Sequence, residues 1–487
     1  MNTAVVVGGG LAGMVAAREL ASAGWRVTLL ESSEQLGGKA QAFKHDVGWV
    51  EHGYHVFPAW YDNVRRLLKE LDVSLIDFDR YFYLRRAEFP KMTTVYGPSG
   101  FKAIMHNTFR GLLPWYHTLL FGYSVIDMIS RPLRHKRLLD CISQVGLMRS
   151  AWYVTESVAT LNQENILKAS AIPAYEMSAM TAKNIAAFWV QRGAPFLSVL
   201  PGDLQTTFIM PLIRACRDAG VEIRTGTHVA SLRAENGIID RVVTLDGEEF
   251  SADTFVVTTP LEVTRRFVTG EIYDVDPELG NIHHLEAEPM SALHVYLKRR
   301  LEGVPREHVF LHESRYGMSV IDLDQIWDDQ SGTVLSCISS NFSPLKHLEE
   351  SEATEHLLRD LLDFVPFDRS DIAKVVLHSN VQTPLFINTV GAWPHRPPPN
   401  SKIPNLFVAG DWVKTPVDLA CMEGAVSSAY EAASHALAYA NGDLPKAVLA
   451  VAPATPPRWL TVIARYALIP IVAPVWTIAR LTEWLKR

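Results

Sequence analysis

The sequence predicts an α/β protein in which a dinucleotide-binding domain is interrupted by two apolar insertions. Three observations support this fold class. A strand, a glycine-rich loop, a helix and a second strand follow one another in residues 1–40, short strands alternate after residue 200, and a buried strand near residue 406 leads into a helix of small residues. The chain has 487 residues, more than one domain with a single hydrophobic core usually contains, so at least two domains are expected.

The N-terminal unit has the spacing of a phosphate-binding turn. The strand Ala4–Val7 runs into a glycine loop, and an apolar-periodic helix continues to Ser22. Glycines at these positions allow a tight turn, close approach of the backbone to a pyrophosphate, and close packing of helix on strand. The helix N-terminus then offers unpaired N–H groups to the phosphates. The candidate pyrophosphate contacts are Gly8, Gly10, Leu11, Ala12 and Gly13.

An acidic residue ends the second strand, Val27–Leu30. Glu31 follows the glycine loop by about 20 residues, where a dinucleotide site places the carboxylate that binds the ribose diol. Ser32, beside it, is a further candidate contact. Together these residues predict a dinucleotide cofactor, and the loop alone does not distinguish NAD from FAD.

Composition excludes several classes of function. The 46 Lys and Arg and 53 Asp and Glu residues give a formal charge of −7, and no basic tract is present, so nucleic acid is not expected as a partner. The four cysteines are far apart and form no CxxC pair, which predicts neither a disulfide framework nor a metal site. The chain begins as a strand without a basic n-region, so we expect no signal peptide and a cytoplasmic protein.

Alternation between strand-rich and apolar segments predicts a discontinuous domain. The nucleotide-binding domain is expected at residues 1–85, 200–264 and 385–450, and the apolar substrate-binding domain at residues 86–199 and 265–384. Proline and glycine clusters mark two of these boundaries. Residues 457–487 form a C-terminal tail.

Two stretches predict contact with a membrane surface. Gly111–Ile129 is nearly uncharged, and the uncharged core of the tail, Tyr466–Ala479, is shorter than the roughly 20 apolar residues that a span requires. Aromatic and basic residues flank this core: Trp459, Trp476, Trp484, Arg465, Arg480, Lys486 and Arg487. The pattern favours a helix, or a broken helix, lying in the membrane interface as a peripheral anchor. The alternative is a helix packed on the protein's own core.

Three motifs resemble those of the flavin-containing amine oxidase/phytoene desaturase superfamily. The first runs from the glycine loop to Gly37-Gly38-Lys39, which is similar to the family's second glycine pair with its basic residue. The second, Glu51–Phe57 with Tyr61, is similar to the segment along the flavin ring. The third, Leu406–Trp412 followed by Ala420–Ser428, is similar to the desaturases' paired C-terminal motifs. The chain looks closest to the plant- and cyanobacterial-type phytoene and ζ-carotene desaturases and to the hydroxysqualene dehydroxylases.

This resemblance implies a Rossmann-like FAD domain of the glutathione-reductase type, an inserted mixed α+β substrate domain and a C-terminal interfacial helical tail. It also implies FAD as the cofactor. Carried over residue by residue, Asp411 binds the ribityl and pyrophosphate part, and Val229 contacts the adenine. The backbone of Met422, Glu423 and Gly424 approaches the pyrimidine edge of the ring, and the Glu423 side chain is expected to cap the helix that follows it. The other implied cofactor contacts are Gly38, Lys39, His55, Val56 and Tyr61.

The implied activity is removal of a hydride from a long apolar isoprenoid, since FAD accepts a hydride at N5. The two apolar insertions suit such a substrate, and a quinone is a candidate electron acceptor. Three alternatives remain open at this point. They are a hydroxysqualene dehydroxylase-type enzyme, a flavin amine oxidase, and a flavin-bound scaffold without turnover.

The candidate catalytic residues are His55 and Asp418. Each has a structural alternative, since His55 could anchor the backbone and Asp418 could cap a turn. Ala420 aligns with a small residue that contacts substrate in the family, whereas Asp203 stands where the desaturases commonly have arginine. Arg396 is expected to be solvated, and no metal site is expected.

Overall fold

A computed structural model describes residues 1–97, 100–131, 136–191, 195–327, 332–442 and 449–485. Lys486 and Arg487, two of the basic tail residues, lie outside the described residues. The helices are α1 (Leu11–Ser22), α2 (Asp62–Glu70), α3 (Phe101–Arg110), α4 (Trp115–Ser130), α5 (Lys136–Asp140), α6 (Gln144–Arg149), α7 (Glu156–Ser170), α8 (Ala179–Gln191), α9 (Met210–Asp218), α10 (Leu261–Phe267), α11 (Glu271–Val275), α12 (Pro277–Gly280), α13 (Glu350–Leu362), α14 (Met422–Ala440), α15 (Arg458–Ala467) and α16 (Ile469–Leu485). A π-helical turn, Gln205–Ile209, precedes α9.

The strands pair into several sheets, of which two are large. In chain order they are β1 (Thr3–Val7), β2 (Arg26–Leu30), β3 (Ala42–His45), β4 (Gly48–Glu51), β5 (Ile76–Phe78), β6 (Arg80–Leu84), β7 (Thr93–Tyr96), β8 (Leu197–Val199), β9 (Glu222–Arg224), β10 (Val229–Glu235), β11 (Ile238–Thr244), β12 (Glu249–Ser251), β13 (Thr254–Val257), β14 (Glu286–Glu288), β15 (Ser291–Leu297), β16 (Val309–Leu311), β17 (Met318–Asp322), β18 (Val334–Ser339), β19 (Ile372–Ser379), β20 (Leu385–Ile387) and β21 (Leu406–Val408).

A five-stranded parallel sheet, in the order β21-β13-β1-β2-β9, forms the centre of the nucleotide-binding region. Successive residues of β1 point to opposite faces, as in any strand. Ala4 and Val6 pack in one apolar core with α1 and α14, while Val5 and Val7 pack in a second core with β10 and β11. Because both faces are covered, β1, β13 and β21 consist mostly of buried apolar residues. This architecture confirms the predicted α/β fold class.

A seven-stranded sheet, in the order β19-β15-β18-β17-β16-β6-β7, belongs to the second region. One face packs against α13 through residues such as Leu293 and Leu357. The opposite face, including Tyr296 and Ile321, packs against Val50 of β4 and against Tyr54 of the segment that resembles the flavin-ring motif. The strand β6, which the sequence analysis assigned to the nucleotide-binding domain, pairs in parallel with β16 and so lies in this second sheet.

Helices fill the first insertion and the tail. Helices α3, α15 and α16 all pack against α4. Within this contact, Val472 and Ala479 of α16 are buried against Leu120 and Tyr123 of α4. One face of the tail therefore packs on the protein, as predicted by the alternative hypothesis of a helix packed on the protein's own core. The other face remains exposed, as Trp459 and Trp484 show at 67% and 72% of their maximal accessible surface.

The described residues contain no single helix with both the length and the apolar character needed to cross a bilayer. The pair α15 and α16 meets those criteria only when its two members are taken together, and they are bent by 54° relative to one another.

Candidate functional site

The glycine loop after β1 adopts a tight turn that packs closely on neighbouring backbone and requires glycine at two positions. Gly8 has a φ of +110°, a conformation that glycine adopts without strain. A Cβ atom on Gly13 would lie 1.8 Å from the carbonyl oxygen of Gly8, so the close packing of α1 on β1 requires glycine there. Helix α1 begins at Leu11 without a side-chain cap, and its first N–H groups, including that of Ala12, are available to an anion.

The second glycine pair packs directly against the first loop. The N–H of Gly37 donates to the carbonyl of Gly9 at 2.9 Å. Gly38 has a φ of +58°, and a Cβ there would approach the Cα of Gly10 to 3.0 Å. Lys39 lies beside this turn, and its Nζ donates to the carbonyl oxygen of Pro384 at 2.6 Å. The basic residue therefore links the cofactor turn to the segment that leads into β20.

Glu31 faces the glycine loop from the end of β2. Its Oε2 accepts a hydrogen bond from the N–H of Gly9 at 2.6 Å, and its Oε1 accepts from the N–H of Ser33 at 2.8 Å and from the Ser32 hydroxyl at 3.1 Å. The N–H of Thr227 donates to the backbone carbonyl of Glu31 at 2.8 Å. The segment that leads to Val229 at the start of β10 thus runs beside this carboxylate, where an adenosine would lie.

The segment between β21 and α14, residues 410–421, is called the cofactor loop below. It begins at Gly410, whose N–H donates to the Ser428 hydroxyl at 2.8 Å. Its two ends come together at Gly424, because a Cβ there would lie 2.7 Å from the carbonyl oxygen of Leu419 and 3.9 Å from the Cα of Asp411. Asp411, Ala420 and Met422 are half-buried at this junction. The candidate ribityl contact and the candidate ring contact are therefore neighbours.

The side chain of Glu423 points away from this junction. Its carboxylate accepts hydrogen bonds from the N–H groups of Asn63 and Val64 at 2.9 and 2.8 Å, and from Nδ2 of Asn63 at 2.7 Å. Glu423 therefore caps the N-terminus of α2, and the expectation that it caps α14 was wrong. Cys421 occupies that position instead, since its Sγ accepts from the N–H of Gly424 at 3.4 Å. Burial raises the pKa of Glu423 to about 7.

Tyr61 is buried next to the cofactor loop. Its ring packs edge-on against Trp60 with a centroid separation of 4.7 Å, and its hydroxyl interacts with the thiol of Cys421. Burial raises the pKa of both groups, that of Cys421 to about 12. The tyrosine and the thiol are therefore both neutral at physiological pH, and they form an uncharged surface next to the N-terminus of α14.

Glu51 and His55 form a hydrogen-bonded pair that the sequence analysis did not recognise. Nδ1 of His55 lies 3.1 Å from Oε2 of Glu51, while Oε1 of Glu51 accepts from the N–H of Leu204 at 2.7 Å. Among the described residues, Nε2 of His55 has no hydrogen-bond partner, and Val56 beside it is half-buried. Such a pair can accept or deliver a proton at Nε2. The only sequence signal for this pair is that Glu51 and His55 lie four residues apart within the flavin-ring motif.

This pair lines a small cavity between the two regions of the protein. One wall carries Glu51, Tyr54 and His55, and the other wall is mostly apolar. The remaining lining residues are Val199, Leu200, Gly202, Leu204, Ile321, Leu323, Ile326 and Trp327. The cavity therefore sets a proton-transfer group against hydrocarbon side chains.

Two further histidines, both neutral, contact residues of the polar cavity wall. Nε2 of His294 donates to the backbone carbonyl of Glu51 at 2.7 Å, and burial lowers the pKa of His294 to about 4. Burial likewise lowers the pKa of His308, beside Tyr54, to about 3. Within the described ranges, no three His, Cys, Asp or Glu side chains are grouped so that they could hold a metal ion.

Asp418 and Arg396 form a buried ion pair, with Nη1 of Arg396 2.5 Å from Oδ1 of Asp418. The expectation that Arg396 is solvated was wrong, because only 2% of its surface is exposed. Neither residue lines the cavity beside His55. The sequence offered no strong signal for this pair, since Arg396 lies in a proline-rich segment whose path cannot be read from local patterns.

Comparison with known proteins places the chain in a family. Its residues 11–437 match the family described as flavin containing amine oxidoreductase. The chain belongs to that family. It is therefore an FAD-dependent oxidoreductase, and FAD is its cofactor.

Relatives of this flavoprotein include carotenoid-pathway enzymes. It is 24% identical to 15-cis-phytoene desaturase of Solanum lycopersicum over 87% of this chain and 76% of that protein. It is 23% identical to 15-cis-phytoene desaturase of Synechococcus elongatus over 87% and 93% of the two chains. It is 22% identical to zeta-carotene desaturase of Arabidopsis thaliana over 88% and 84%.

Solved structures share the fold of this flavoprotein. A putrescine oxidase superposes with a TM-score of 0.70 at 15% identity, covering 90% of this chain and 99% of the other. An oxidoreductase from Methanosarcina mazei superposes with a TM-score of 0.66 at 17% identity, covering 88% and 98%.

The residues present fit FAD. The glycine loop and the start of α1 would hold the pyrophosphate, because the first N–H groups of α1 have no side-chain cap and would face it. Glu31 would hold the adenosine ribose. Asp411 and the start of α14 would hold the ribityl chain and the ring, since they meet at Gly424.

Proposed function

We propose that this protein is a membrane-associated FAD-dependent oxidoreductase that removes hydrogen from a long apolar isoprenoid, as the carotenoid desaturases do. The observation that carries the proposal is an exposed apolar surface around α4, which we call the apolar platform. It consists of residues of α3, α4 and the tail that remain exposed although their helices pack on the protein. They are Phe101, Ile104, Phe109, Trp115, Leu119, Trp459, Ile463, Tyr466, Ile471, Leu481 and Trp484.

A surface of this composition suits a lipid interface better than water. Monomeric soluble proteins rarely expose large contiguous apolar patches. Tryptophan and arginine are typical of the headgroup region, and the tail carries Trp459 and Trp484 together with Arg458 and Arg480. We infer peripheral attachment to the cytoplasmic face of a membrane, from which a water-insoluble substrate would reach the site.

A buried carboxylate fixes the tail to α4. Asp127 accepts hydrogen bonds from the Tyr153 hydroxyl at 2.8 Å and from Nη2 of Arg131 at 2.9 Å, and its Oδ1 lies 2.6 Å from Nε of Arg465 on α15. The Tyr123 hydroxyl donates to the backbone carbonyl of Arg465 at 3.0 Å. The exposed face of the tail is therefore held in a defined orientation beside the first insertion.

Bound FAD supplies a hydride acceptor. The protein must then place a C–H bond of the substrate, exclude water and accept the proton that leaves when the double bond forms. The apolar side chains beside His55, including Ile321 and Trp327, would exclude water from the point where this C–H bond reacts. Nε2 of His55 accepts the proton, with Glu51 orienting the ring through Nδ1. A quinone is the electron acceptor we propose for the reduced cofactor.

A second candidate is a dehydroxylase of the hydroxysqualene type. The observation that favours it is the polar wall formed by Glu51, Tyr54 and His55, because a pure hydrocarbon makes no hydrogen bond to it. In that reaction a protonated His55 would deliver a proton to the departing hydroxyl group, water would leave, and a hydride supplied by the reduced cofactor would take its place.

The experiment incubates the holoenzyme with liposomes that carry phytoene, ζ-carotene or hydroxysqualene, with a quinone present in one arm and a chemical reductant of the flavin in another. A new conjugated double bond in either carotenoid supports the first candidate, and loss of the hydroxyl group supports the second. Turnover of a soluble amine with release of peroxide, and of none of the lipids, would overturn both.

Membrane attachment is tested separately by flotation with liposomes. The double variant Trp459→Ser, Trp484→Ser changes only exposed side chains and is expected to lose liposome binding while retaining FAD. Leu245→Ser is the matched control, since Leu245 is 75% exposed in the turn between β11 and β12. Equal binding of all three proteins would contradict the role of the apolar platform.

A further inference from the structure

The guanidinium group of Arg396 holds three successive carbonyl groups of the cofactor loop. Its Nη2 donates to the backbone oxygens of Asp411 and Val413 at 3.2 and 2.5 Å, and its Nε donates to that of Trp412 at 3.0 Å. The aromatic ring of Phe386 stacks near the guanidinium carbon at 5.2 Å. Arg396 therefore fixes the backbone at the end of the loop where Asp411 would meet the ribityl chain.

The carboxylate of Asp418 fixes the other half of the loop. Its Oδ1 accepts from Arg396 and from Nδ2 of Asn388 at 3.1 Å. Its Oδ2 accepts from the Thr181 hydroxyl at 3.0 Å and from Nδ2 of Asn184 at 3.3 Å. Asp418 itself has a φ of +48°, which is unusual for a residue other than glycine and turns the chain back towards α14.

These four donors come from three separate parts of the chain. Thr181 and Asn184 lie on α8 in the first insertion, Asn388 follows β20, and Arg396 precedes β21. Because every carboxylate oxygen is engaged by protein donors, Asp418 is poorly placed to take a proton from substrate. It is also buried, with 1% of its surface exposed.

A buried ion pair contributes little net free energy to folding, because removing two charges from water costs several kcal/mol. Well-packed apolar residues at the same positions often give equal stability. Such pairs can instead specify one conformation. We propose that Arg396 and Asp418 are positioning residues that set the shape of the cofactor loop, and hence the placement of the flavin between Asp411 and Met422, and that they tie this placement to α8. The proposal rests on the FAD site and not on the identity of the substrate, so its failure would leave the isoprenoid proposal standing.

The test compares Asp418→Asn and Arg396→Lys with Glu164→Gln as purified holoenzymes. Glu164 is a matched control because it is buried, forms an ion pair with Lys168 and His312, and lies on α7 away from the cofactor loop. All three variants are expected to unfold at lower temperature than the wild type. The dissociation constant for FAD is expected to rise at least tenfold in the first two variants only.

Two further measurements separate positioning from general destabilisation. The ratio of affinities for reduced and oxidised FAD is expected to change about tenfold in Asp418→Asn, which is about 30 mV in the two-electron midpoint potential. The visible absorption bands of the bound flavin should shift in the same variant. Glu164→Gln should show neither change. Identical flavin properties in all three variants, or the same changes in the control, would overturn the proposal.

A milder variant covers the case in which Asp418→Asn fails to fold. Thr181→Val removes only the hydrogen bond from α8 and keeps the ion pair with Arg396. We expect it to fold and to shift the flavin absorption and midpoint potential in the same direction as Arg396→Lys, by a smaller amount. Unchanged flavin properties in both of these folded variants would overturn the proposal.

Discussion

The carboxylate of Glu423 accepts a hydrogen bond from the backbone N–H of Val64 at 2.8 Å, across 359 residues of sequence. The contact joins the helix that follows the cofactor loop to the helix that follows the flavin-ring motif. Two segments expected to enclose the same flavin ring are thus held together by one buried side chain that faces away from it.

Replacing Glu423 with glutamine should therefore affect stability more than cofactor binding. The amide keeps the volume but leaves one of three N–H donors without a good acceptor, which costs about 1–2 kcal/mol of unfolding free energy. Urea unfolding of the holoenzyme measures this loss. Glu431→Gln on the same helix is the control, because burial raises the pKa of both carboxyl groups to about 7, whereas the hydrogen bonds from Asn63 and Val64 are made to Glu423. Weaker FAD binding without loss of stability would contradict the assignment.

Glu31 should matter for FAD affinity. In Glu31→Gln the ribose loses a charged acceptor, and hydrogen bonds to charged groups are worth about 1.5–3 kcal/mol, so the dissociation constant should rise roughly 10- to 100-fold. Titration of apoprotein with FAD, followed by flavin fluorescence, measures it. Glu34→Gln, an exposed acid on the same turn, serves as the control. Equal affinity in both variants would remove Glu31 from the site.

The space around Gly13 and around Gly122 predicts opposite outcomes for substitution by alanine. Gly13→Ala places a Cβ 1.8 Å from the carbonyl oxygen of Gly8, so the helix must move and FAD binding should be lost. Gly122→Ala lies in α4 with no atom within 4 Å, and it should stabilise that helix by about 0.5–1 kcal/mol. Thermal unfolding and the flavin content of the purified proteins distinguish the two. Retention of FAD by Gly13→Ala would contradict the close packing.

Buried histidines should make the protein sensitive to acid. Burial holds the pKa of His308 at about 3 and that of His294 at about 4, below the usual 6.5, so the unfolded chain binds more protons than the native one between these values. Native stability is therefore lost as the pH falls below 6.5, by about 2 kcal/mol for each histidine at pH 5.

This acid sensitivity can be measured from the pH dependence of urea unfolding. His308→Gln is expected to reduce the number of protons taken up on unfolding at pH 5 by about one, and addition of His294→Gln by about one more. An unchanged slope in both variants would show that these imidazoles are not held neutral.

Local sequence patterns were sufficient to predict the elements that form the nucleotide-binding region. The glycine loop, β2 with Glu31 and the return at β21 are each encoded by a few adjacent residues whose backbone geometry is fixed by glycine or by strand periodicity. The roles that were missed depend on contacts between distant segments. Glu51 and His55 lie inside a motif that the sequence did reveal. The pairing of Arg396 with Asp418 could not be predicted, because it depends on the path that a proline-rich segment takes through the fold. Residues 80–84 were assigned to the nucleotide-binding domain, whereas β6 pairs with β16, which lies more than 200 residues later and could not be identified from local patterns.

The parallel sheet has a consequence for how the protein is made. β1 leaves the ribosome before the other strands of this sheet, yet it pairs with β13 as well as β2, and β13 pairs with β21 at residues 406–408. During most of translation the earliest strands therefore present open edges and an uncovered apolar face. Non-local pairing of this kind folds slowly, and exposed strand edges are prone to aggregation. The nascent chain is thus expected to depend on molecular chaperones until the cofactor loop and α14 have emerged, and recombinant yield should respond to their supply.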